Sequence, residues 1–163
     1  MIDLETPCLC IGMRSAAQRL TQVYDVVLDG TGLNVTQLSQ LVAIRKLETP
    51  TLRDLSAFTG LDRSTLGRNV RVLERLGLVR ITAGEDARTR TLTVTEDGAQ
   101  ALRAALPRWY AIQERLLEHL GGRGAFDALL ADLEGAASAI ARDAGEVARD
   151  ADGAARARRA ATN

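Results

Sequence analysis

Aromatic side chains make up only 3% of this 163-residue chain, which holds a single histidine and two cysteines. Each scarcity excludes something. Cys8 and Cys10 are too few and too close together to form a disulfide framework. They also leave any metal site under-liganded, because His119 is distant in sequence. No glycine-rich phosphate loop, His-based triad or paired-carboxylate pattern occurs, so no enzyme, cofactor or resident metal is expected. No apolar run approaches the roughly 20 residues that span a bilayer. The start, Met1-Ile2-Asp3-Leu4-Glu5, lacks the basic opening of a secretory signal. A soluble, cytoplasmic protein without a membrane partner is expected.

Formal net charge is zero, so the whole molecule is not a polycation. The charge is uneven, however. Between Thr51 and Arg90 there are eight arginines against five acids, and local asymmetry sets an electrostatic footprint for nucleic acid.

Abundant Ala, Leu and Arg favour helices. The first helix is expected from about Leu9 to Leu28, with Met13, Ala16, Leu20, Tyr24 and Val27 as its apolar stripe. A second begins near Thr36, with Leu38, Leu41, Val42 and Leu47 on one side, and ends at Pro50. Thr51-Leu52-Arg53-Asp54 has the form of a capping box and starts a short third helix. After the turn at Gly60, Asp62 caps a fourth helix whose inward positions are Leu66, Val70, Leu73 and Leu76. Gly77 ends it. Leu78–Thr82 and Thr91–Val94 flank a polar loop and form a hairpin. Thr95 caps a long fifth helix with an expected kink at Pro107. In the last helix, Phe126, Leu130, Leu133, Ala137, Ile140, Ala144 and Val147 follow a 3.5-residue seam that calls for another helix alongside.

The fold class is therefore mainly α with a small β-hairpin wing: a winged helix-turn-helix domain plus a helical dimerisation region. The expected parts are an N-terminal dimerisation helix (residues 1–33), the winged domain (34–98), C-terminal dimerisation helices (99–149) and a disordered basic tail (150–163).

The candidate chemistry lies in the middle. With Leu66, Val70 and Leu73 inward, Ser64, Arg68, Arg71 and Arg75 occupy the opposite face of the fourth helix, with Arg63, Thr65 and Asn69 at its edges. A helix fits the major groove of double-stranded DNA. There Arg pairs with guanine, Asn with adenine, and Ser or Thr with bases or phosphates. Residues 63–69 are placed for base edges, and Arg71 and Arg75 for phosphates. In the loop Gly84-Glu85-Asp86-Ala87-Arg88-Thr89-Arg90, Arg88 and Arg90 can enter a minor groove. Arg88→Ala is expected to weaken binding on most sequences. The rival reading is a winged-helix module that binds protein without sequence-specific DNA contacts. Steep salt dependence would separate the two.

The segments Leu61–Leu66, Leu73–Val79, Glu85-Asp86-Ala87-Arg88 and Leu92–Gly98 resemble the MarR family of bacterial winged-helix repressors. The D-x-R wing of that family falls on Asp86 and Arg88. The resemblance implies a homodimer whose N-terminal and last two helices interlock, bound to a pseudo-palindromic operator. It also implies release by a small ligand or oxidant. Residues Leu9 to Tyr24 are similar to the organic-hydroperoxide-sensing branch, in which a cysteine stands at Cys10 and a tyrosine at Tyr24 hydrogen-bonds to it. A second tyrosine of that branch would fall near Val35, where this chain has none. Two readings of Cys10 stand open: a redox switch with Cys8 as resolving thiol, or a small buried hydrophobe. If Cys10 is inert, a small apolar or aromatic acid lined by Arg14 and Tyr24 is the alternative effector.

Overall fold

A computed structural model describes residues 8–84 and 89–161, which form six helices and one two-stranded sheet. In order these are α1 (Leu9–Leu28), α2 (Val35–Lys46), α3 (Leu52–Thr59), α4 (Arg63–Arg75), β1 (Val79–Ala83), β2 (Arg90–Val94), α5 (Glu96–His119) and α6 (Arg123–Ala161). The chain divides into two compact units, residues 1–113 and 114–163. Among the described residues no helix is long and apolar enough to cross a membrane.

The helix starts follow their caps. Asn34 and Gln37 close a reciprocal capping box at α2, and Thr51 and Asp54 close another at α3. Each box satisfies two of the backbone donors that a helix leaves open at its first turn. A third donor is met from outside: the Asp25 carboxylate on α1 accepts the Val35 N–H at 2.7 Å. Thr95 opens α5 by accepting the Gly98 N–H at 3.1 Å and donating its hydroxyl to the Gly77 carbonyl at 2.6 Å.

The core of the first unit gathers Leu28, Leu33, Leu38, Leu41, Ile44, Leu55, Leu66, Val70, Leu73, Val79, Leu92 and Leu102, all buried. α2 runs through its middle, in contact with α1, α3, α4 and β2. Neighbours on several sides explain why no single apolar stripe describes it. Ala43, Ile44 and Gln40 are buried along with Leu38 and Leu41, whereas Val42, expected inside, is exposed. The helix also ends earlier than Pro50. Leu47 is its C-cap and Glu48 turns through φ 64°.

Gln40 is 2% exposed, and neither its side-chain oxygen nor its nitrogen has a partner among the described residues. A buried amide stripped of water and left unpaired costs about 1–3 kcal/mol. The near-isosteric substitution Gln40→Met removes that cost while keeping the volume, so it is expected to stabilise the fold by about that amount. A higher denaturant midpoint at unchanged slope is the measurement that checks it.

The wing is antiparallel, with Val79 opposite Val94, Ile81 opposite Leu92 and Ala83 opposite Arg90. It has one more rung than the sequence suggested. The Leu92 N–H donates to the Pro50 carbonyl at 2.9 Å, and Thr51 bridges Thr91. The linker before α3 thus pairs with β2 through a single isolated bridge, without forming a third strand. Where α4 meets β1, Gly77 adopts φ 73°, and the Gly77 and Leu78 amides return to the Glu74 and Leu73 carbonyls, both at 2.9 Å. This left-handed closure favours glycine because an L side chain there meets the backbone.

α5 passes unbroken through Pro107, forgoing only the backbone bond to Arg103. α6 corrects the expected tail. Instead of fraying near Asp150, the helix continues through Ala161. Alanine and arginine, which fill this segment, rank among the strongest helix formers, so low complexity here extends the helix.

Candidate nucleic-acid interface

Asp62 fixes the start of α4. Its carboxylate accepts the Thr65 N–H at 2.9 Å and the Ser64 hydroxyl at 2.5 Å. Those bonds, that from the Ser64 hydroxyl foremost, hold the Asp62 carboxyl well below the usual carboxylate range. One consequence bears on Ser64, expected at the interface: its hydroxyl proton is committed to the cap. It reaches a base or phosphate as a donor only by breaking that bond.

Beyond the cap, α4 separates its faces. Leu66, Val70 and Leu73 are buried, while Arg63, Ser64, Arg68, Arg71 and Arg75 are exposed and Thr65 and Asn69 are half-buried at the edges. Arg68, Arg71 and Arg75 line one shallow surface groove with Val72 and Glu74. The arginines thus share one strip of the surface, with Glu74 partly offsetting their charge. A Cβ added at Gly67 would meet no atom within 4 Å, so packing within the chain does not require glycine there.

Arg90 is exposed at the start of β2. Asp86 and Arg88, the other expected wing residues, lie outside the described residues. A residue not singled out from the sequence joins Arg90: Arg53, in the first turn of α3, lines a cleft together with Arg63 and Arg90. Arg53 and Arg90 are 37 positions apart in the chain, and the Thr51–Thr91 bridge and the Leu92-to-Pro50 bond help bring their elements side by side. No local pattern could have paired them.

The effector candidates do not converge within one chain. Cys8 and Cys10 are both free and exposed, so burial of Cys10 is not seen within a single chain. Cys10 and Tyr24 stand on α1 about 21 Å apart along its axis, too far for a hydrogen bond between them in one chain. The Tyr24 hydroxyl donates instead to Oε1 of Gln113 on α5, and partial burial pushes its pKa up. Arg14 and Tyr24 are about 15 Å apart along the same axis, which sets them on separate stretches of the helix. His119 ends α5 exposed, its Nδ1 2.8 Å from the Arg115 carbonyl. Among the described residues no group of His, Cys, Asp and Glu is placed to hold a metal ion.

A helix-turn-helix whose second helix exposes a cationic strip, followed by an antiparallel hairpin, defines a winged helix-turn-helix protein. Comparison with known proteins gives the family. The MarR family profile matches residues 31–89. The transcriptional regulator MosR of M. tuberculosis, solved in complex with DNA, is similar at 38% identity and a TM-score of 0.74, over 82% of this chain and 98% of that one. A probable transcriptional regulator from Pseudomonas aeruginosa shares 25% identity with a TM-score of 0.68, covering 77% and 96% of the two chains. A cysteine-to-serine mutant of MarR from E. coli, complexed with operator DNA, shares the fold at 19% identity and a TM-score of 0.70, over 83% and 99%. No curated protein matches the chain. The chain belongs to the MarR family of winged-helix transcriptional regulators.

Proposed function

We propose that this regulator binds a pseudo-palindromic operator as a homodimer, acts as a repressor in the cytoplasm, and is released by a small ligand or oxidant. The observation that carries the reading is the division of α4: its apolar side is sealed in the core and its arginines face solvent. A helix held in this way can enter a major groove without exposing its core. Residues 63–69 then read bases, and Arg71 and Arg75 hold phosphates.

The apolar surfaces left open in one chain support pairing. On α1, Leu9 is 71% and Val26 76% exposed, and Ile11, Met13, Leu20 and Val23 are exposed too. On α6, Leu130 and Ile140 of the expected seam are likewise exposed, Ile140 at 60%; the Val147 side chain lies outside the described residues. Two long helices with this much uncovered apolar surface gain by burying it against a second copy. The same pairing would let a tyrosine of one copy approach a cysteine of the other, the geometry that one chain does not allow. The exposed Cys10 thiol suits oxidation, in which a hydroperoxide gives up one oxygen to form a sulfenic acid and leaves as the alcohol. Cys8 or another thiol would then displace water to form a disulfide.

Selection of bound sequences from random duplexes tests the proposal. The expected product is a motif of two inverted half-sites about 10 base pairs apart, bound by a dimer and lost when Cys10 is oxidised. A protein that is monomeric, or that enriches no sequence, removes the reading. Unchanged affinity after verified Cys10 oxidation removes the oxidant alone.

A further inference from the structure

The cleft between the helix-turn-helix and the wing is the feature that the α4 strip does not account for. Thr51, Leu52, Arg53 and Asp54 of α3 and its cap, Arg63 at the start of α4, and Thr89 and Arg90 at the base of β2 line a space of about 680 Å³. Three separate elements each contribute one guanidinium. Arg53, Arg63 and Arg90 are all exposed, so none is used for packing.

Among the described residues the cleft holds one carboxylate, that of Asp54, and it is engaged with the helix cap. Asp54 accepts the Thr51 N–H at 2.9 Å and the Thr51 hydroxyl at 2.7 Å, bonds that lower its pKa. Its Oδ2 is engaged by the capping box, and against this one carboxylate the described lining sets three guanidinium groups, a surplus of positive charge. Among the described lining residues none is aromatic and able to stack on a base; Leu52 and the aliphatic stems of the arginines supply apolar wall, and the three guanidinium groups supply the charge. That combination suits a singly charged group with oxygens arrayed around one centre. Guanidinium groups meet such oxygens with paired N–H donors.

We propose that this cleft seats a phosphodiester of the DNA backbone, with Arg53 as a phosphate ligand that joins Arg90 and Arg63, which moves Arg63 from base reader to backbone contact and leaves base reading to residues 64–69. The proposal rests on the DNA-binding reading above and deepens it. Arg63 begins the helix offered to the major groove and Arg90 begins the strand that leaves the wing, so the cleft faces the strip of backbone between those two points. The seat fixes register on the duplex and carries no sequence information.

The test compares the wild-type chain with Arg53→Ala on the selected duplex and on a random duplex of equal length, across a salt series. The exposed Arg53 side chain makes its removal a charge change, not a folding lesion. The log–log slope of affinity against salt is expected to flatten by about 0.9 for each phosphate left without its cation. Binding should weaken by a similar factor on both duplexes, with base preference retained. A wild-type chain with a steep slope and an Arg53→Ala chain with the same slope would overturn the seat alone. So would a loss confined to the selected duplex, which would make Arg53 a base reader. A wild-type chain that binds no duplex overturns the DNA-binding reading, and the seat with it.

Discussion

Gly98→Ala is expected to destabilise the winged domain by about 3 kcal/mol, at the upper end of what overpacking a core costs. A Cβ at this position would stand 2.2 Å from the Leu78 carbonyl oxygen and 2.9 Å from Cγ1 of Val94. Carbon and oxygen in weak contact sit about 3.3 Å apart, so roughly 1 Å of movement is demanded. The atom in the way is backbone and cannot rotate aside. The same carbonyl also accepts the Thr95 N–H at 3.1 Å, so pushing it outward strains the α4–β1 turn and the start of α5 together. Domains of this size are stable by about 5–15 kcal/mol, which makes such a loss a large share of the total. Chemical denaturation of the two proteins measures it. A midpoint within error of wild type would show that the α5 start can slide away from Leu78 at little cost.

Arg68→Ala is expected to cost about 1–3 kcal/mol on the preferred operator and to relax base choice at one position of each half-site. The argument is geometric. Arg68 lies more than one turn inside α4 on the exposed side, directly after Gly67, which carries no side chain to stand in its way. A guanidinium there can reach a guanine edge and make two parallel hydrogen bonds. Removing it should leave the salt dependence nearly intact, since pairing with a base neutralises no phosphate. Side-by-side selection experiments on the two proteins check this. Equal losses on every sequence, with a flatter salt slope, would move Arg68 from base reader to phosphate clamp. The contrast with Arg53→Ala is therefore diagnostic: one substitution should alter preference and the other the salt slope.

Elements with a strong local signature were readable from the chain. The capping box at Thr51 and Asp54, the Asp62 cap, the closure at Gly77 and the alternation of the hairpin each arise from neighbours a few positions apart, and each is present. So are Leu66, Val70 and Leu73 of the inward row expected for α4, but Leu76, expected with them, is 53% exposed: it is the C-cap at the end of the helix, beyond the buried side. What depends on distant partners was not readable. α2 is enclosed by four elements, so its buried set includes Gln40 and excludes Val42, contrary to any one-sided stripe. The same holds for Arg53, whose neighbours in the cleft come from α4 and β2. The helical tail shows a different limit: its composition suggests disorder, whereas the intrinsic propensity of the same residues favours a helix.

The rung from Leu92 to Pro50 has a bearing on how signals could pass. A two-stranded ribbon standing alone is marginal in water, and here its base is stitched to the connector that launches α3. Reading head and ribbon are thereby fastened into one stiff piece. In the proposed release by an effector, bending the two apart would have to break these bonds. The movement left is a tilt of the whole piece against its counterpart in the proposed second copy, after which the two would no longer match the pitch of the duplex.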